Sequence, residues 1–372
     1  MTKPLTKPSK HDRTNAWLFS AYRAESHARW ADWLVSTFGE FEWQRLELPG
    51  RHFSWRVRGN PLSWLDDLPE RTPELIVATS MVDLATLKGL HSRLAGVRCI
   101  VYFHENQFAY PRSDAQTTSV EAQMVQLYGA LAADRVLFNS EYNRQSFMRG
   151  VDALLERMPD HVPSGVCRRL AGKSEILPVP IDPIRPPETQ DPKLIAWNHR
   201  WEYDKNPDLF ADAMIALAER DVEFRLALLG QRHRRTHQAL ARLRKTLPDR
   251  IVADGDLPAD EYRAMLGRAG IAVSTAIHEF QGLGMLEAAS AGCAPLVPDA
   301  LCYPEIYPAA YRYPAGDRDV LVERLTHWLS SQAPGPVTVD RWSALQLEPA
   351  WREALLDEDI RFHEAMGQSR DA

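Results

Sequence analysis

Six prolines fall within residues 178–192, a density that neither a regular helix nor a central strand can carry. On either side of them the chain repeats one pattern, a short apolar, β-rich run followed by an amphipathic stretch. Before the prolines the runs are residues 17–20, 41–46, 75–79, 99–103 and 136–139, with helical patterns at 82–94 and 120–133. After them come 194–197, 224–229, 251–252, 271–274 and 295–297. Such alternation predicts largely parallel sheets covered by helices. Two series joined by a linker predict an α/β fold of two Rossmann-like, doubly wound domains, residues 1–185 and 186–340, facing a central cleft. Residues 341–372, helical in pattern from Trp342 to about Met366, are expected to pack back on the first domain. Ligands of doubly wound sheets gather at the carboxyl ends of strands, so the loops after these runs are the places to search.

With 372 residues, 45% of them hydrophobic, the chain can bury a core in each of two domains. No apolar run approaches the roughly 18 residues of a membrane span, and the N-terminal stretch lacks an apolar centre. Neither a transmembrane helix nor a signal peptide is expected, and a cytoplasmic protein without a membrane partner is. Cys99, Cys167, Cys293 and Cys302 are scattered, with no Cys-x-x-Cys pair, and read as buried thiols rather than a disulfide framework or a zinc site. A net charge of -6 excludes a uniformly basic surface, so a nucleic acid would have to be met by a local basic face.

Glu279 and Glu287 stand eight positions apart around a glycine-rich turn between an apolar strand and an apolar helix. In Glu279-Phe280-Gln-Gly282-Leu283-Gly284, the glycines permit a sharp turn and a close backbone approach to a ligand, and the helix start offers unpaired N–H groups to phosphate. Glu279 would sit beside a sugar and Glu287 could accept from ribose hydroxyls. The pattern is not the dinucleotide fingerprint, because the third glycine is missing. Taken alone it is more often a solvated helix start. Arg200 and Lys205 follow the first strand of the second series, where a planar fork and a compact charge could offset a leaving diphosphate. Alone, such a pair is usually solvent-facing.

In the first series, Tyr102-Phe-His104-Glu105-Asn106-Gln107 closes a buried-looking strand, and His104 could orient a hydroxyl or carry a proton. It could equally be a hydrogen-bonded loop histidine. Asp83 opens a helix beside another strand end and could contact an acceptor hydroxyl or simply cap the helix. Ser20, Tyr22 and His27 lie in the loop after the first strand, which could help to close the cleft. Asp254-Gly-Asp256 resembles the Asp-x-Asp of metal-dependent transferases but reads as turn chemistry after a strand, and no metal is assigned. Arg51, His52, Trp55, Arg56 and Arg58 interleave cations with aromatics, the composition that holds single-stranded RNA loops. A second basic run, Arg232, Arg234, Arg235, Arg242, Arg244 and Lys245, reads as a solvated face.

Arg200 with Lys205, the Glu279 to Glu287 pair and the linker between two α/β halves resemble the retaining glycosyltransferases of family 4, of GT-B fold. The N-terminal half resembles the tRNA-queuosine alpha-mannosyltransferases. The residues that carry this are Ser20-Ala-Tyr22, Ser26-His27 with Trp30, Trp55-Arg56-Val-Arg58, Ser80-Met-Val-Asp83, Tyr102 to Pro111, Phe138-Asn-Ser140, Asn198 to Pro207 and Cys302-Tyr-Pro-Glu305. The resemblance implies transfer of mannose from GDP-mannose to queuosine at the wobble position of a tRNA, tRNA-Asp, with retention of configuration. It implies no cofactor beyond the nucleotide sugar. By matching motif positions, Arg200 and Lys205 would hold the diphosphate, Glu279 the hexose, Glu287 the ribose, and backbone N–H groups around Gly282 to Gly284 the phosphate, with Glu305 in support. Front-face attack is favoured over a covalent intermediate, because no residue is an obvious buried nucleophile. Two alternatives stay open: a family 4 transferase that uses another nucleotide sugar on a polysaccharide, lipid or small molecule, and a non-catalytic RNA-binding or nucleotide-sugar-sensing protein.

Overall fold

The computed structural model describes residues 13–110, 120–232, 237–331 and 333–356. Its contacts divide the chain into one unit that ends at Val179 and resumes at Glu348, and a second unit, Pro180–Leu347. Residues 180–185, and 341–347 at the other end, group with the second unit. Arg234 and Arg235, Pro111 and the end of the C-terminal helical pattern beyond 356 lie outside the described residues.

The first unit runs β1 (Thr14–Arg23), α1 (Glu25–Thr37), β2 (Phe41–Pro49), α2 (Phe53–Ser63), β3 (Leu75–Thr79), α3 (Leu84–Leu90), β4 (Arg98–Phe103), α4 (Val120–Ala132), β5 (Arg135–Phe138), α5 (Glu141–Leu155), α6 (Val166–Ala171) and β6 (Ser174–Ile176). The second runs β7 (Asp191–Trp197), α7 (Pro207–Glu219), β8 (Arg225–Leu229), α8 (Gln238–Thr246), β9 (Ile251–Gly255), α9 (Ala259–Arg268), β10 (Ala269–Val273), α10 (Leu283–Ser290), β11 (Ala294–Pro298), α11 (Tyr303–Ile306), β12 (Arg312–Tyr313), α12 (Arg318–Ser330) and α13 (Ala344–Leu356), whose later turns belong to the first unit.

The first sheet is six-stranded in the order β2-β1-β3-β4-β5-β6, and every pairing in it is parallel. Alternation along the strands sends Trp17, Phe19, Ile76, Ala78, Val101 and Phe103 into one buried cluster. The other face carries Tyr102, whose ring stacks on Trp30 of α1 at 4.8 Å and lies 5.0 Å from Trp351 of α13. The end of α13 is held by two arginines from strand starts. Arg98 donates to the carbonyls of Leu355 at 2.6 Å and Ala354 at 2.9 Å, and Arg135 to Ala354 at 3.3 Å, satisfying groups that a helix C-terminus leaves bare. Within α2, Pro61 lacks the N–H that would bond Val57. The Asn60 amide donates instead to the carbonyls of Arg56 at 2.7 Å and Val57 at 3.1 Å, so the helix continues through the proline.

The second sheet, also parallel, has the order β12-β11-β10-β7-β8-β9. Its topological switch point therefore lies between β7 and β10, the first and fourth strands of that unit. Two sequence expectations need correction. Pro192, expected in the linker, lies inside central β7, where the register with β10 is irregular and a missing ladder donor is tolerated. Asp254 and Gly255, expected in a turn, are the last residues of β9. Among the described residues no helix is long and apolar enough to cross a membrane. The four cysteines are free, with Cys167 half-buried and the other three buried.

Candidate active site

The loops after β7 and β10, residues 198–206 and 274–282, leave the sheet at its switch point and are bonded into one piece. Thr275 Oγ1 donates to the carbonyls of Lys205 and Asn206, both at 2.9 Å. The amides of Ile277 and His278 donate to the Asp204 carbonyl at 2.9 and 3.2 Å. Asn206, in the left-handed region at φ 48, caps α7 by accepting from Leu209 N at 3.3 Å, and Pro207 follows at the first helical position. The β7 loop thus has a fixed exit, and its charged side chains a fixed frame.

Inside that frame Lys205 is buried. Its Nζ donates to the His278 carbonyl at 2.8 Å and to Glu279 Oε2 at 3.0 Å, and lies 3.3 Å from Asp204 Oδ2. Burial pulls the lysine pKa down, but Glu279 and Asp204 outweigh it and leave the group above its ordinary value. Burial likewise pushes Glu279 up, and Lys205, His199 and a backbone bond from Gly282 overcome this and lower it to about 2. Both groups are charged at neutral pH. Arg200, about half exposed, lies 3.3 Å from Glu202 and 3.6 Å from Asp204. Asp204 therefore faces both cations, and its Oδ1 has no hydrogen-bond partner among the described residues. Arg200 and Lys205 both lie beside Asp204, with Lys205 turned onto the Glu279 loop.

Gly282 immediately precedes α10 in the left-handed region at φ 71, and a Cβ there would lie 3.0 Å from the Tyr303 ring. Phe280 is buried edge-on to His278, and Leu283 opens the helix. The Gly284 carbonyl accepts from Asn198 Nδ2 at 2.7 Å, which ties the start of α10 to the β7 loop a second time. Asn198 also reaches the Tyr262 hydroxyl, and that hydroxyl donates to Glu287 Oε2, both at 3.2 Å. Glu287 is buried on α10. Glu305 is exposed on α11, and its carbonyl accepts from Arg341 at 2.9 Å. Asp204, His199 and Tyr262 had no role in the sequence reading. A carboxylate adjoining Lys205 and four residues past Arg200 could have singled out Asp204, but nothing in spacing points to Tyr262. Asp254 is bonded by Arg244 at 2.7 Å and by Arg232, and Arg242 pairs with Asp212. Among the described residues no group of three or more His, Cys, Asp or Glu is placed for a metal.

In the first unit, register sets Thr79 beside Tyr102 and Ser20 one step past the Phe19–Ala78 pair, so Ser20, Thr79 and Tyr102 share the face under α1. His104 continues that face. Its ring stacks on His27 at 4.2 Å and meets Trp30 and Tyr102 edge-on at 4.8 and 4.7 Å. Ser20 Oγ, Thr79 Oγ1, His104 Nε2 and Gln107 Nε2 are buried without a hydrogen-bond partner among the described residues. Sequence reading missed Thr79.

Other candidates in this unit are already engaged. Asn106 donates to Asn143 Oδ1 and Ser146 Oγ, both at 2.9 Å, and accepts from the amides of Phe108 and Ala109 at 3.1 and 3.0 Å. The Glu105 carbonyl accepts from Ser80 at 3.1 Å. Asp83 caps α3 through Thr86 N at 3.2 Å and pairs with Arg58 at 2.5 Å. Tyr22 packs edge-on against Phe53. Arg51, His52 and Trp55 are exposed around the start of α2, and Arg56 donates to Ser63 Oγ at 3.2 Å.

Four imidazoles are held neutral. Burial lowers His27 to about 4, against the pull of its bond to the Tyr22 carbonyl. Burial and then Lys205 lower His199 and His278 to about 4 each. Burial and His27 hold His104 well below its usual value. Below about 6.5 the unfolded chain protonates these rings while the fold does not, so the stability they contribute is full above 6.5 and is lost as pH falls toward 4. The His27 shift alone is worth on the order of 3 kcal/mol. Glu279 loses its contribution only as pH falls from 4.5 toward 2, and Lys205 only above 10.5. Thermal melts should therefore show a midpoint that falls steeply from pH 6.5 to 4. A midpoint constant across that interval would contradict buried neutral histidines.

Comparison with known proteins gives this geometry a context. Residues 15–181 match the family profile described as tRNA-queuosine alpha-mannosyltransferase N-terminal, and residues 181–340 match glycosyl transferases group 1. The tRNA-queuosine alpha-mannosyltransferase of Drosophila melanogaster is 35% identical over 302 residues, which cover 77% of this chain and 80% of that one. Among solved structures, the sucrose-phosphate synthase of Thermosynechococcus elongatus superposes with a TM-score of 0.64 at 14% identity, over 96% of this chain and 98% of its own. A variant of S. aureus TarM, solved in complex with fondaparinux, alpha-GlcNAc-glycerol and UDP, gives a TM-score of 0.60 at 11% identity over 81% of this chain, which spans 59% of TarM. Each parallel sheet with its helices has the α/β domain fold of GT-B glycosyltransferases. With both halves matched in order and a relative of this identity covered over most of its length, the chain is a glycosyltransferase and belongs to the tRNA-queuosine alpha-mannosyltransferase family.

Proposed function

We propose that the enzyme transfers mannose from GDP-mannose to queuosine at the wobble position of tRNA-Asp, with retention of configuration, in the cytoplasm. The observation that carries this is the convergence of Lys205 and Glu279 from two loops bonded together at the switch point, beside the start of α10. UDP in the TarM complex and the name of the Drosophila relative support a nucleotide sugar and mannose respectively.

In this reading Arg200 and Lys205 meet the diphosphate, Glu279 the hexose hydroxyls and Glu287 the ribose, with Phe280 and Leu283 flanking and the amides near Gly282 and Gly284 completing the phosphate contacts. The bond from the anomeric carbon to the diphosphate oxygen breaks while the acceptor oxygen bonds that carbon on the same face. The acceptor proton passes to the departing phosphate oxygen. Lys205, already charged, steadies the leaving group without a proton of its own. The acceptor is assigned to the first unit, where Ser20, Tyr22, His27, His104 and Gln107 stand toward the carboxyl end of its sheet. Neutral His104 can accept a hydrogen bond from an acceptor hydroxyl there. Asp83, Glu105 and Asn106 shape that end through their bonds within the fold. Arg51, His52, Trp55, Arg56 and Arg58 meet the RNA.

The test is incubation of the protein with GDP-mannose and either queuosine-containing or queuosine-free tRNA, followed by nucleoside mass measurement, with UDP-glucose in a parallel arm. Queuosine should gain one hexose with GDP-mannose alone. No gain on queuosine rejects the tRNA acceptor, and a gain with UDP-glucose in place of GDP-mannose rejects the donor.

A further inference from the structure

Trp55 is a large aromatic side chain left 55% exposed. A Cβ built on Gly59, one helical turn further along α2, would lie 2.4 Å from Trp55 Cε2 and 2.7 Å from both Cδ2 and Cζ2. Cε2 and Cδ2 are the two ring-fusion carbons and Cζ2 adjoins Cε2, so a point nearest Cε2 and equally close to the other two lies over the face of the indole, and that face, rather than an edge, rests on the glycine backbone. One face of the ring is covered and the opposite face is open. Any side chain at 59 would lift the ring.

The surroundings say what that open face suits. No acidic residue stands between Glu47 and Asp66, while Arg51, His52, Arg56 and Arg58 all do. Arg58 is oriented from below by buried Asp83. The start of α2 also adjoins the acceptor end of the sheet. Phe53 meets Tyr22 edge-on at 5.8 Å, and Gly50 comes so close to the β1 loop that a Cβ would lie 2.8 Å from the Arg23 carbonyl. From Tyr22 the path is short, since its carbonyl holds His27 Nδ1 at 2.9 Å and His27 stacks on His104. An open aromatic face among cations, next to a site for a modified nucleoside, matches the way unpaired bases are held, by ring stacking with phosphates on nearby arginines.

We propose that Trp55, laid flat by Gly59, is the stacking platform for an unpaired base adjoining the nucleotide that is modified, with Arg51 and Arg58 at the flanking phosphates. Gly59 is a positioning residue that acts through the indole. The inference rests on the tRNA reading above.

The experiment measures KM and kcat for queuosine-containing tRNA, KM for GDP-mannose, and the salt dependence of binding to a labelled anticodon stem-loop. Trp55→Ala should raise KM for tRNA about ten- to a hundredfold, the span of one lost stack, with kcat at saturating tRNA and the donor KM unchanged. Trp55→Phe should recover most of the loss. Gly59→Ala should weaken RNA binding while the melting temperature stays at or above wild type, since alanine is the better helix former. Trp55→Ala should leave the slope of log affinity against log salt unchanged, whereas Arg51→Ala should reduce it by about one. If the wild type mannosylates tRNA and Trp55→Ala keeps its KM and stem-loop affinity, the platform is refuted while the tRNA reading stands. If the wild type transfers nothing to tRNA, the tRNA reading itself falls.

Discussion

Replacing Lys205 with methionine, which keeps the length of the side chain and removes its charge, is expected to lower kcat/KM for the sugar donor by about a thousandfold or more. The lysine is bonded to both the Glu279 side chain and the His278 carbonyl. Without it, two carboxylates, Asp204 and Glu279, face each other across a mostly buried space. Burial then pushes the Glu279 pKa up instead of being overcome, and a diphosphate would enter beside two acids and a half-exposed Arg200. Breaking a buried pair by removing one partner costs roughly 3–5 kcal/mol, lessened here because Glu279 keeps some access to water. Lys205→Arg should not restore activity, since a broad planar group does not fit where a compact ammonium reaches three acceptors. Arg200→Ala should lose less. Steady-state kinetics with a fixed acceptor, read beside melting curves, separate the two effects. A methionine variant within tenfold of wild type would show that the diphosphate is met elsewhere.

The two-domain α/β frame was legible because the inner strands are apolar runs punctuated by turns. Residues 75–79 were placed as found, and most other inner strands differ by a residue or two at their ends. What escaped was short or locally contrary. Ser174–Ile176 and Arg312–Tyr313 are edge strands of three and two residues, too brief for periodicity to register. The helix Phe53–Ser63 contains Gly59, Asn60 and Pro61, all poor helix formers, and stands because the Asn60 side chain replaces the donor that Pro61 lacks.

The site divides in the same way. Arg200, Lys205, Glu279, Gly282 and Glu287 could be found because they follow strand ends at short spacings, and chain direction alone brings such loops together at a switch point. Asp204 was within reach of spacing, but Tyr262 and Thr79 were not, because the first matters through Asn198, 64 residues away, and the second through a missing partner among the described residues. Residue type also hides occupancy. Asn106 and Asp83 have the right chemistry for an acceptor, but most of their bonding capacity is taken by Asn143, Ser146, Thr86 and Arg58.

Gly230→Ala should cost about a hundredfold in donor kcat/KM although residue 230 carries no side chain to lose. Gly230 follows β8 directly at φ 109, and a Cβ there would lie 2.2 Å from the His199 carbonyl oxygen and 2.8 Å from its carbon. Both are backbone atoms of the loop that carries Arg200 and Lys205, so no side-chain rotation relieves the clash. That loop must retreat by roughly 1 Å, and displacements of this size at a reacting centre are worth about two orders of magnitude. Strain at a positive φ and overpacking add roughly 2–6 kcal/mol of destabilisation together. The retreat would draw Asn198 away from the Gly284 carbonyl, now 2.7 Å from its Nδ2, and so loosen the start of α10 as well as the cations. Gly39→Ala is the control, because a Cβ there meets nothing within 4 Å. It should match wild type in melting temperature and kinetics. If Gly230→Ala also matches wild type in both, the β7 loop is not held by its contact with β8. The geometry of Lys205 must then depend on the bonds to residues 274–282 alone, and Thr275→Val, which removes two of those bonds, becomes the variant that disables transfer.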